Sequence, residues 1–328
     1  MKSLSIKLFL LVSLLYNSCN INKNNTMNNN PLLCNTEDGM CEIPSNKING
    51  ETKIESSARK NIKVIYFTDP ICSSCWGIEP QLRKLKLEYG SLIDIEYRMG
   101  GLLPDWNYNS GGISKPSDVA HHWDEVSVYY DMPIDGDLWL EDPLSSSFPP
   151  SIAFKAAQMQ DEKKATIFLR EIREMVFIQK KNIAKWENLE NAAIKAELDI
   201  TKFKYDVENN AKVYFEEDLK LGKDLGVRGF PTMFFIDTYG RREIVYGSKP
   251  YSAYENAILK LDAASKKIDY DKSWNYIFSK YQSLTAREFA ELSGTLRADS
   301  EKFLNGLTVK GILSKQNTKN GAIWTINR

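Results

Sequence analysis

Cys72-Ser73-Ser74-Cys75 is the most informative stretch of this 328-residue chain. It follows an apolar run, Ile62–Phe67, and leads into Trp76–Tyr89, where apolar residues recur at helical spacing. Two thiols at a helix N-terminus can close a disulfide, and the helix dipole stabilises a thiolate on the first sulfur. We therefore expect Cys72 to be the more exposed nucleophile, with a lowered pKa, and Cys75 to be the thiol that resolves a mixed disulfide.

The segments on either side of the dithiol predict an α/β fold. Ile93–Met99 alternates apolar and polar residues, which is typical of a half-buried strand, and Pro80 should kink the helix before it. The helices predicted further along are Ala153–Met159, Thr166–Ile178, Trp186–Leu198, Asp206–Leu225 and Tyr254–Ala264, and the predicted strands are Thr232–Asp237 and Glu243–Tyr246. This order is that of a thioredoxin-like fold with a helical domain inserted in its middle.

The end of the chain, residues 268–328, is predicted to form a separate module. Trp274, Phe278 and Tyr281 lie on one helical face, and Thr285-x-x-Glu288 is a capping box. A further helix over 300–308 and a hairpin around Asn320-Gly321 complete a small winged-helix-like pattern. Its basic residues are not concentrated on the helix over 300–308, which would contact DNA in a winged-helix protein. This favours contact with protein over contact with DNA.

Composition narrows the classes of function. Lysine plus arginine (43) equals aspartate plus glutamate (43), so there is no general electrostatic reason to bind nucleic acid, and none is expected as a partner. The two histidines, His121 and His122, are adjacent, which argues against a histidine-rich metal site. We expect neither a metal nor a cofactor.

The N-terminus has the pattern of an export signal. Lys2 and Lys7 precede the apolar run Leu8–Tyr16, and Cys19 stands where a lipoprotein signal places the thiol that receives a lipid. The polar, asparagine-rich residues 20–30 suit a flexible tether. This predicts a membrane-anchored lipoprotein in the periplasm or another extracytoplasmic compartment. The alternative is a cytoplasmic protein that starts at Met27.

A second motif, Gly229-Phe230-Pro231-Thr232, precedes a predicted strand. Its position fits a cis-prolyl loop that packs beside the dithiol. The backbone of such a loop offers N–H and C=O groups to an extended substrate peptide. We expect Pro231 to belong to the catalytic set with the two cysteines, and Phe230, Thr232 and Trp76 to contact substrate.

Three motifs together resemble the DsbA-like family, and most closely its FrnE-type branch and the YjbH-type adaptors of the ClpXP protease. They are Asp69-Pro70-x-Cys72-x-x-Cys75-Trp76-Gly77, Arg98-Met99-Gly100-Gly101-Leu102 and Gly226-Val227-Arg228-Gly229-Phe230-Pro231-Thr232. The resemblance covers roughly residues 31 to 266 and implies dithiol–disulfide exchange on a thioredoxin fold. It matches Cys72, Cys75 and Pro231 to the active pair and the cis-proline of the family.

Cys34 and Cys41 form a second close pair with several interpretations. They are candidates for a structural disulfide that fixes an N-terminal loop, or for a second redox pair that relays electrons to Cys72 and Cys75. A zinc tetrathiolate made by all four thiols is a third hypothesis, which the wide spacing of the first pair disfavours.

The sequence thus predicts six segments. They are a signal peptide (1–18), a polar tether (19–30), an extension with Cys34 and Cys41 (31–60), a thioredoxin-like domain (61–116 and 226–266), an inserted helical domain (117–225) and the C-terminal module (268–328).

The predicted function is a membrane-anchored protein thiol–disulfide oxidoreductase whose partners are protein thiols or disulfides and an unidentified redox partner. The alternative is a cytosolic adaptor that uses the same fold to bind a regulator for a protease. An isomerase of small aromatic molecules is disfavoured, because that activity on this fold normally replaces the resolving cysteine and Cys75 is present.

Overall fold

The structure is a computed structural model that describes residues 34–35, 39–42, 61–107 and 114–327. The chain begins with β1 (Cys34–Asn35), β2 (Met40–Glu42), β3 (Ile62–Thr68), α1 (Ser73–Gly77), α2 (Glu79–Tyr89) and β4 (Ile93–Met99). Helices follow: α3 (Pro116–Tyr130), α4 (Leu138–Glu141), α5 (Phe148–Gln158), α6 (Glu162–Phe177), α7 (Trp186–Lys195), α8 (Ile200–Asn209) and α9 (Ala211–Asp224). Then come β5 (Gly229–Phe230), β6 (Thr232–Asp237), β7 (Arg242–Tyr246) and α10 (Tyr251–Leu261). The chain ends with α11 (Trp274–Lys280), β8 (Ser283–Thr285), α12 (Ala286–Ser293), α13 (Arg297–Val309), β9 (Leu313–Thr318) and β10 (Gly321–Ile326).

A mixed sheet with the strand order β4-β3-β6-β7 forms the centre of the fold. β3 runs parallel to β4, with Ile62 opposite Ile93, and antiparallel to β6. β3 is almost continuously apolar because both its faces are covered, whereas β4 alternates buried and more exposed residues, as predicted. The α/β fold is thioredoxin-like, and the insertion between β4 and β5 is helical.

The predicted kink after the dithiol takes the form of two consecutive helices. α1 is a short helix whose N-cap is Cys72. A single residue, Ile78, separates the end of α1 from the start of α2. Pro80 occupies the first turn of α2, where the missing proline N–H costs no hydrogen bond.

One helix prediction in the insertion is wrong. The sequence predicts a single helix over Asp206–Leu225, but the chain forms α8 and α9, separated at Asn210. The side-chain amide of Asn210 donates to the Asp206 carboxylate at 2.8 Å, next to the turn between the two helices. Both helices pack against α5, so the bend follows from packing and not from helix propensity.

The end of the chain contains three helices and a hairpin, as predicted, and a further strand, β8, that joins the hairpin in the order β8-β10-β9. The capping box forms: the Thr285 hydroxyl accepts from the Glu288 N–H at 3.1 Å, and the Glu288 carboxylate accepts from the Thr285 N–H at 2.7 Å. A hydrophobic cluster that includes Phe278, Leu284 and Trp324 fills the module. The winged-helix-like assignment and the domain boundaries remain predictions.

Buried charges join this module to the rest of the chain. Arg170 of α6 makes a bidentate pair with Glu288 at 2.7 and 3.1 Å, and the Arg83 Nε of α2 lies 3.2 Å from the same carboxylate. Arg83 also donates to the Ser283 carbonyl at 2.8 Å. The glutamate that caps α12 therefore also anchors the module to α2 and α6.

A small hairpin, β1–β2, pairs with β5 through its strand β2. Cys34 lies opposite Cys41 in this hairpin, and β2 pairs antiparallel with β5. The signal peptide, the tether and the lipidation of Cys19 concern residues outside the described part of the chain, so these remain predictions. Within the described residues, no helix is long and apolar enough to cross a membrane.

A candidate dithiol site at the end of the central sheet

The two cysteines lie in the first turn of α1, at the carboxyl end of β3. Cys72 is the N-cap, and its Sγ accepts the Cys75 N–H at 3.1 Å. Both thiols are free, and both residues are fully buried. The expectation that Cys72 is the more exposed sulfur is therefore wrong, because neighbouring chain covers the end of the helix that sequence spacing alone leaves open.

A buried cation lies beside this turn. The Nη2 of Arg173 in α6 donates to Thr68 Oγ1 at 2.5 Å and to the Asp69 carbonyl at 3.3 Å. The same carbonyl accepts the Cys72 N–H at 3.2 Å. Arg173 thus shares an acceptor with the backbone that holds the dithiol turn, and its Nη1 pairs with Glu79 at 2.8 Å.

Burial and the hydrogen bond between the two thiols shift the pKa values of Cys72 and Cys75. Burial raises the pKa of Cys72 well above its ordinary value, and the neighbouring Cys75 sulfur adds to the rise. Burial also opposes ionisation of Cys75, but the Cys72 thiol, the Arg173 charge and the hydroxyls of Thr68 and Tyr66 outweigh it, so the pKa of Cys75 is lowered. Burial thus acts against the lowered pKa expected for Cys72, and the assignment of Cys72 as the attacking thiol stays a prediction.

Asp69 is a buried acid that precedes Cys72 by three residues in the chain. Its carboxylate accepts the N–H of Ile71 at 3.0 Å, the N–H of Leu102 at 2.8 Å and the Ser147 hydroxyl at 3.0 Å. Burial raises the pKa of Asp69 to about 6, although these hydrogen bonds favour its charged form. The acid ties the dithiol loop to the segment after β4 and to the insertion.

The Gly229–Thr232 loop contains the predicted cis-proline. The Phe230–Pro231 peptide bond is cis, and the Pro231 carbonyl accepts the Gly247 N–H at 2.8 Å. Residues on either side of the proline are strand residues, and the backbone of β5 carries the pairing with β2. The backbone of β5 thus pairs with an extended segment of the chain itself, and binding of a substrate peptide at this loop stays a prediction.

The side chains predicted to contact substrate point inward instead. Trp76 is fully buried, donates its Nε1–H to the Pro133 carbonyl at 3.1 Å and lies under the Arg170 guanidinium at 4.4 Å. Phe230 is fully buried against Gly100, where an added Cβ would come within 1.7 Å of the ring. Thr232 is buried and donates to the Gly229 carbonyl at 2.7 Å. These three side chains lie in the interior of the site, where Trp76 stacks on Phe177 of the insertion and Phe230 packs on Gly100.

Comparison with known proteins identifies the family. Residues 66–256 match the family model described as Thioredoxin. The ClpXP adapter protein SpxH of Halalkalibacterium halodurans is 33% identical over 297 residues, which are 89% of this chain and 96% of the relative. The chain belongs to the thioredoxin superfamily, in its DsbA-like SpxH/YjbH branch.

Two further matches describe the extent of the likeness. The SpxH protein of Bacillus subtilis is 28% identical over 271 residues, covering 81% of this chain and 89% of the relative. A solved structure from Nitrosomonas europaea, with a provisional assignment as a protein disulfide isomerase, has a TM-score of 0.55 and 19% identity. The match covers 63% of this SpxH/YjbH-branch chain and the whole of the solved chain. The two proteins therefore share the thioredoxin-like fold.

The additional cysteines have a definite backbone position in this member of the branch. Cys34 and Cys41 are directly opposite each other in the β1–β2 pair, and Cys41 is opposite Phe230 in the β2–β5 pair. Residues directly opposite each other on antiparallel strands are at a Cα separation that a disulfide can bridge. The structural and relay hypotheses both remain open. Over the residues that the structure describes, no cluster of three or more His, Cys, Asp or Glu is arranged to hold a metal ion.

Sequence reasoning assigned no role to Asp69 or Arg173. Asp69 appears in the motif that carries the resemblance, which was the available signal for it. Arg173 gave no signal, because it lies about a hundred residues from the dithiol in sequence and stands beside the apolar face of a helix in the insertion.

Proposed function

We propose that this protein is an adaptor that binds a protein and delivers it to the ClpXP protease. The observation that carries the proposal is the extent of the match to the curated ClpXP adapter protein, 89% of this chain and 96% of that relative. The thioredoxin-like solved structure covers only 63% of this chain. The additional segments are therefore those that this protein shares with a named adaptor.

The geometry agrees with a binding role. The dithiol is fully buried, and the side chains of Trp76 and Phe230 make internal contacts. The module that contains α11–α13 is anchored through the fully buried Glu288, so the chain presents one continuous surface and not a thioredoxin domain with a loose appendage. Both parts of the chain can therefore contact a bound protein together.

The proposal is tested by trapping. A proteolytically inactive ClpP that retains captured proteins is expressed in the source organism, with and without the gene for this chain, and the captured proteins are compared by quantitative mass spectrometry. We expect at least one captured protein to depend on the gene, and its degradation by purified ClpXP to accelerate when this protein is added. A set of captured proteins that is the same in both strains contradicts the proposal.

A second function, thiol–disulfide exchange at Cys72 and Cys75, is favoured by one specific observation. Both thiols are free and lie in one helical turn, and the Cys75 N–H donates to Cys72 Sγ at 3.1 Å, at the cap of a helix and beside a buried arginine. In such an exchange one sulfur attacks a partner disulfide and the other resolves the mixed disulfide, so that two electrons leave the dithiol. Exchange requires the buried turn to open to the partner.

The two functions are separated by replacing both thiols. The variant Cys72→Ser, Cys75→Ser is compared with the native protein in insulin reduction, in oxidation of reduced RNase and in ClpXP-dependent degradation of the trapped protein. Adaptor activity that survives while exchange disappears assigns the two functions to different parts of the molecule. Native protein that exchanges no disulfide in either assay contradicts the second function.

A further inference from the structure

The sheet edge beside the dithiol is already occupied by the chain itself. β2 pairs antiparallel with β5, with Cys41 opposite Phe230 and Glu42 opposite Gly229. β1 then pairs with the outer side of β2. An extended peptide that binds a sheet edge by strand addition uses the same backbone groups. β2 therefore lies where an extended segment of another protein would bind.

The turn of the hairpin holds β2 in this place. The Gly39 carbonyl accepts the Ser248 N–H at 2.5 Å. Gly39 has a φ of +64°, and a Cβ added there would lie 2.6 Å from the Ser248 Cβ and 2.9 Å from its backbone N. Only glycine satisfies both the left-handed backbone and the close approach. The hairpin is thus fitted to the loop after β7 as well as to β5.

The occupied edge is the one next to the thiols. β2 packs against α1, the helix that Cys72 caps, as well as pairing with β5. Cys72, Cys75 and Phe230 are all fully buried. The register places Cys41, a cysteine of the chain itself, opposite Phe230 on the strand that also contacts α1.

We infer that Met40–Glu42 is an internal occupant of the peptide-binding edge, holding the place of a partner segment that contains a cysteine opposite Phe230. A partner binds by displacing β2, and the inference rests on the proposed function of the chain as a protein-binding adaptor. β2 pairs with β5 through two residues, so a longer partner strand that pairs with more of this edge gains contacts that β2 does not make. If β2 occupies the edge about nine-tenths of the time, it weakens the apparent affinity for a partner about tenfold.

The register is tested by disulfide trapping in the full chain. The variant Cys19→Ser, Cys34→Ser, Cys75→Ser retains only Cys41 and Cys72. Oxidised glutathione accepts two electrons and two protons from these thiols, which forms one Cys41–Cys72 bond and two reduced glutathiones. We expect this bond to dominate in peptide maps by mass spectrometry.

The matched control moves the cysteine by one residue. Adding Cys41→Ser and Glu42→Cys to the same background places the thiol on the opposite face of the strand, because side chains alternate. We expect mixed disulfides with glutathione in place of the internal bond. Equal internal bonding in both variants, or none with Cys41 in place, overturns the inferred register.

Displacement is tested without changing any cysteine of the protein. The probe is a fluorescein-labelled peptide with the sequence of residues 36–46 and serine at position 41, and its binding is followed by anisotropy. Gly39→Ala should dislodge the hairpin and bind the probe about tenfold more tightly than the native chain. Ser248→Ala keeps the backbone and Cβ that Gly39 contacts, so its affinity should equal that of the native chain.

Equal affinity of the native chain and Gly39→Ala for the probe contradicts the inference that β2 occupies the edge. An absence of probe binding to both proteins contradicts it as well. Neither outcome affects the ClpP trapping experiment, which measures delivery of an intact protein. The adaptor proposal therefore stands or falls separately from this inference.

Discussion

Arg173 is the residue that links the dithiol to the charges of the insertion. It is almost completely buried, and its Nη2 reaches the Asp69 carbonyl that also holds the Cys72 N–H. Its positive charge favours ionisation of both sulfurs, against the effect of burial. Glu79 balances this charge at 2.8 Å, so the arginine is held in place whichever way the cysteines are protonated.

We predict that Arg173→Met raises the pKa of the dithiol by at least ~1 unit, because an adjacent cation of this kind shifts a neighbouring group by about 1–3 units. Ultraviolet absorbance of the thiolate as a function of pH measures the effect. Loss of one partner of a buried ion pair should also lower the unfolding free energy by about 3–5 kcal/mol. Arg173→Lys keeps the charge and should restore most of the titration. An unchanged thiolate titration in folded Arg173→Met would show that the cation has no influence on the sulfurs.

Asp69 should make the unfolding free energy depend on pH. Burial raises its pKa to about 6 in the folded chain, above the value in the unfolded chain. The folded state therefore binds more protons between the two values, and the stability contributed by Asp69 is present in acid and lost as the pH rises through about 6. A rise of about two units corresponds to ~3 kcal/mol.

The comparison is between the native chain and Asp69→Asn in urea unfolding from about pH 4 to pH 7. The amide does not titrate, and its cost at the Leu102 N–H is the same at every pH. We expect the stability advantage of the native chain over the variant to shrink by about 2–3 kcal/mol over this range. A constant difference between the two proteins would refute the raised pKa.

At the scale of helices and strands, the local sequence pattern predicted those elements whose bounds do not depend on tertiary packing. The alternation in Ile93–Met99 gives the observed strand, and Pro80 falls in the first turn of α2. The bend between α8 and α9 was not predicted, and the two helices that it separates both pack on α5. Sequence periodicity contains no information on that packing.

The same limit applies to the site. Cys72, Cys75 and Pro231 carry their chemistry in residue type and spacing, so the sequence identifies them. The burial of both sulfurs and of Trp76 depends on the insertion, and the Arg173 contact joins positions 104 residues apart. Long-range contacts of this kind set the protonation of the dithiol, and spacing along the chain cannot reveal them.

The capping box that starts α12 gives a prediction for one element. Thr285→Ala removes the hydroxyl that accepts the Glu288 N–H at 3.1 Å, and the buried N–H then lacks this partner. We expect a loss of about 1–2 kcal/mol in the free energy of unfolding, measured with urea. Thr285→Ser keeps the acceptor and should lose less than half as much. Equal losses in the two variants would mean that the Thr285 methyl group, and not the cap, stabilises the helix start.

At the scale of the whole molecule, two hydrophobic clusters are joined by a polar interface. The module has its own apolar cluster around Leu284 and Trp324, distinct from the main core. Between them lie the buried contacts of Glu288 with Arg170 and Arg83. Burial opposes ionisation of Glu288, but the two arginines lower its pKa overall. Such an interface is sensitive to the loss of one charge, because the remaining charges stay buried.

We predict that Glu288→Gln loosens the module without unfolding the thioredoxin-like part of the chain. Residues 262–273 connect the two clusters without helix or strand, and Lys266 and Lys267 in this connection are exposed. Loss of the buried carboxylate should cost about 3–5 kcal/mol of docking free energy. Trypsin should therefore cut at these lysines much faster in the variant than in the native chain.

The matched control for this experiment is Glu301→Gln, which removes the carboxylate of a partly exposed pair with Arg297 within α13. A pair of this type contributes about 0.3–0.5 kcal/mol, so its cleavage rate should stay close to that of the native chain. Cleavage is followed by intact-mass spectrometry, which also shows whether the fragment that ends at Lys266 or Lys267 persists. Equal cleavage rates for Glu288→Gln and Glu301→Gln would mean that apolar contacts, and not the buried charges, hold the module against α2 and α6.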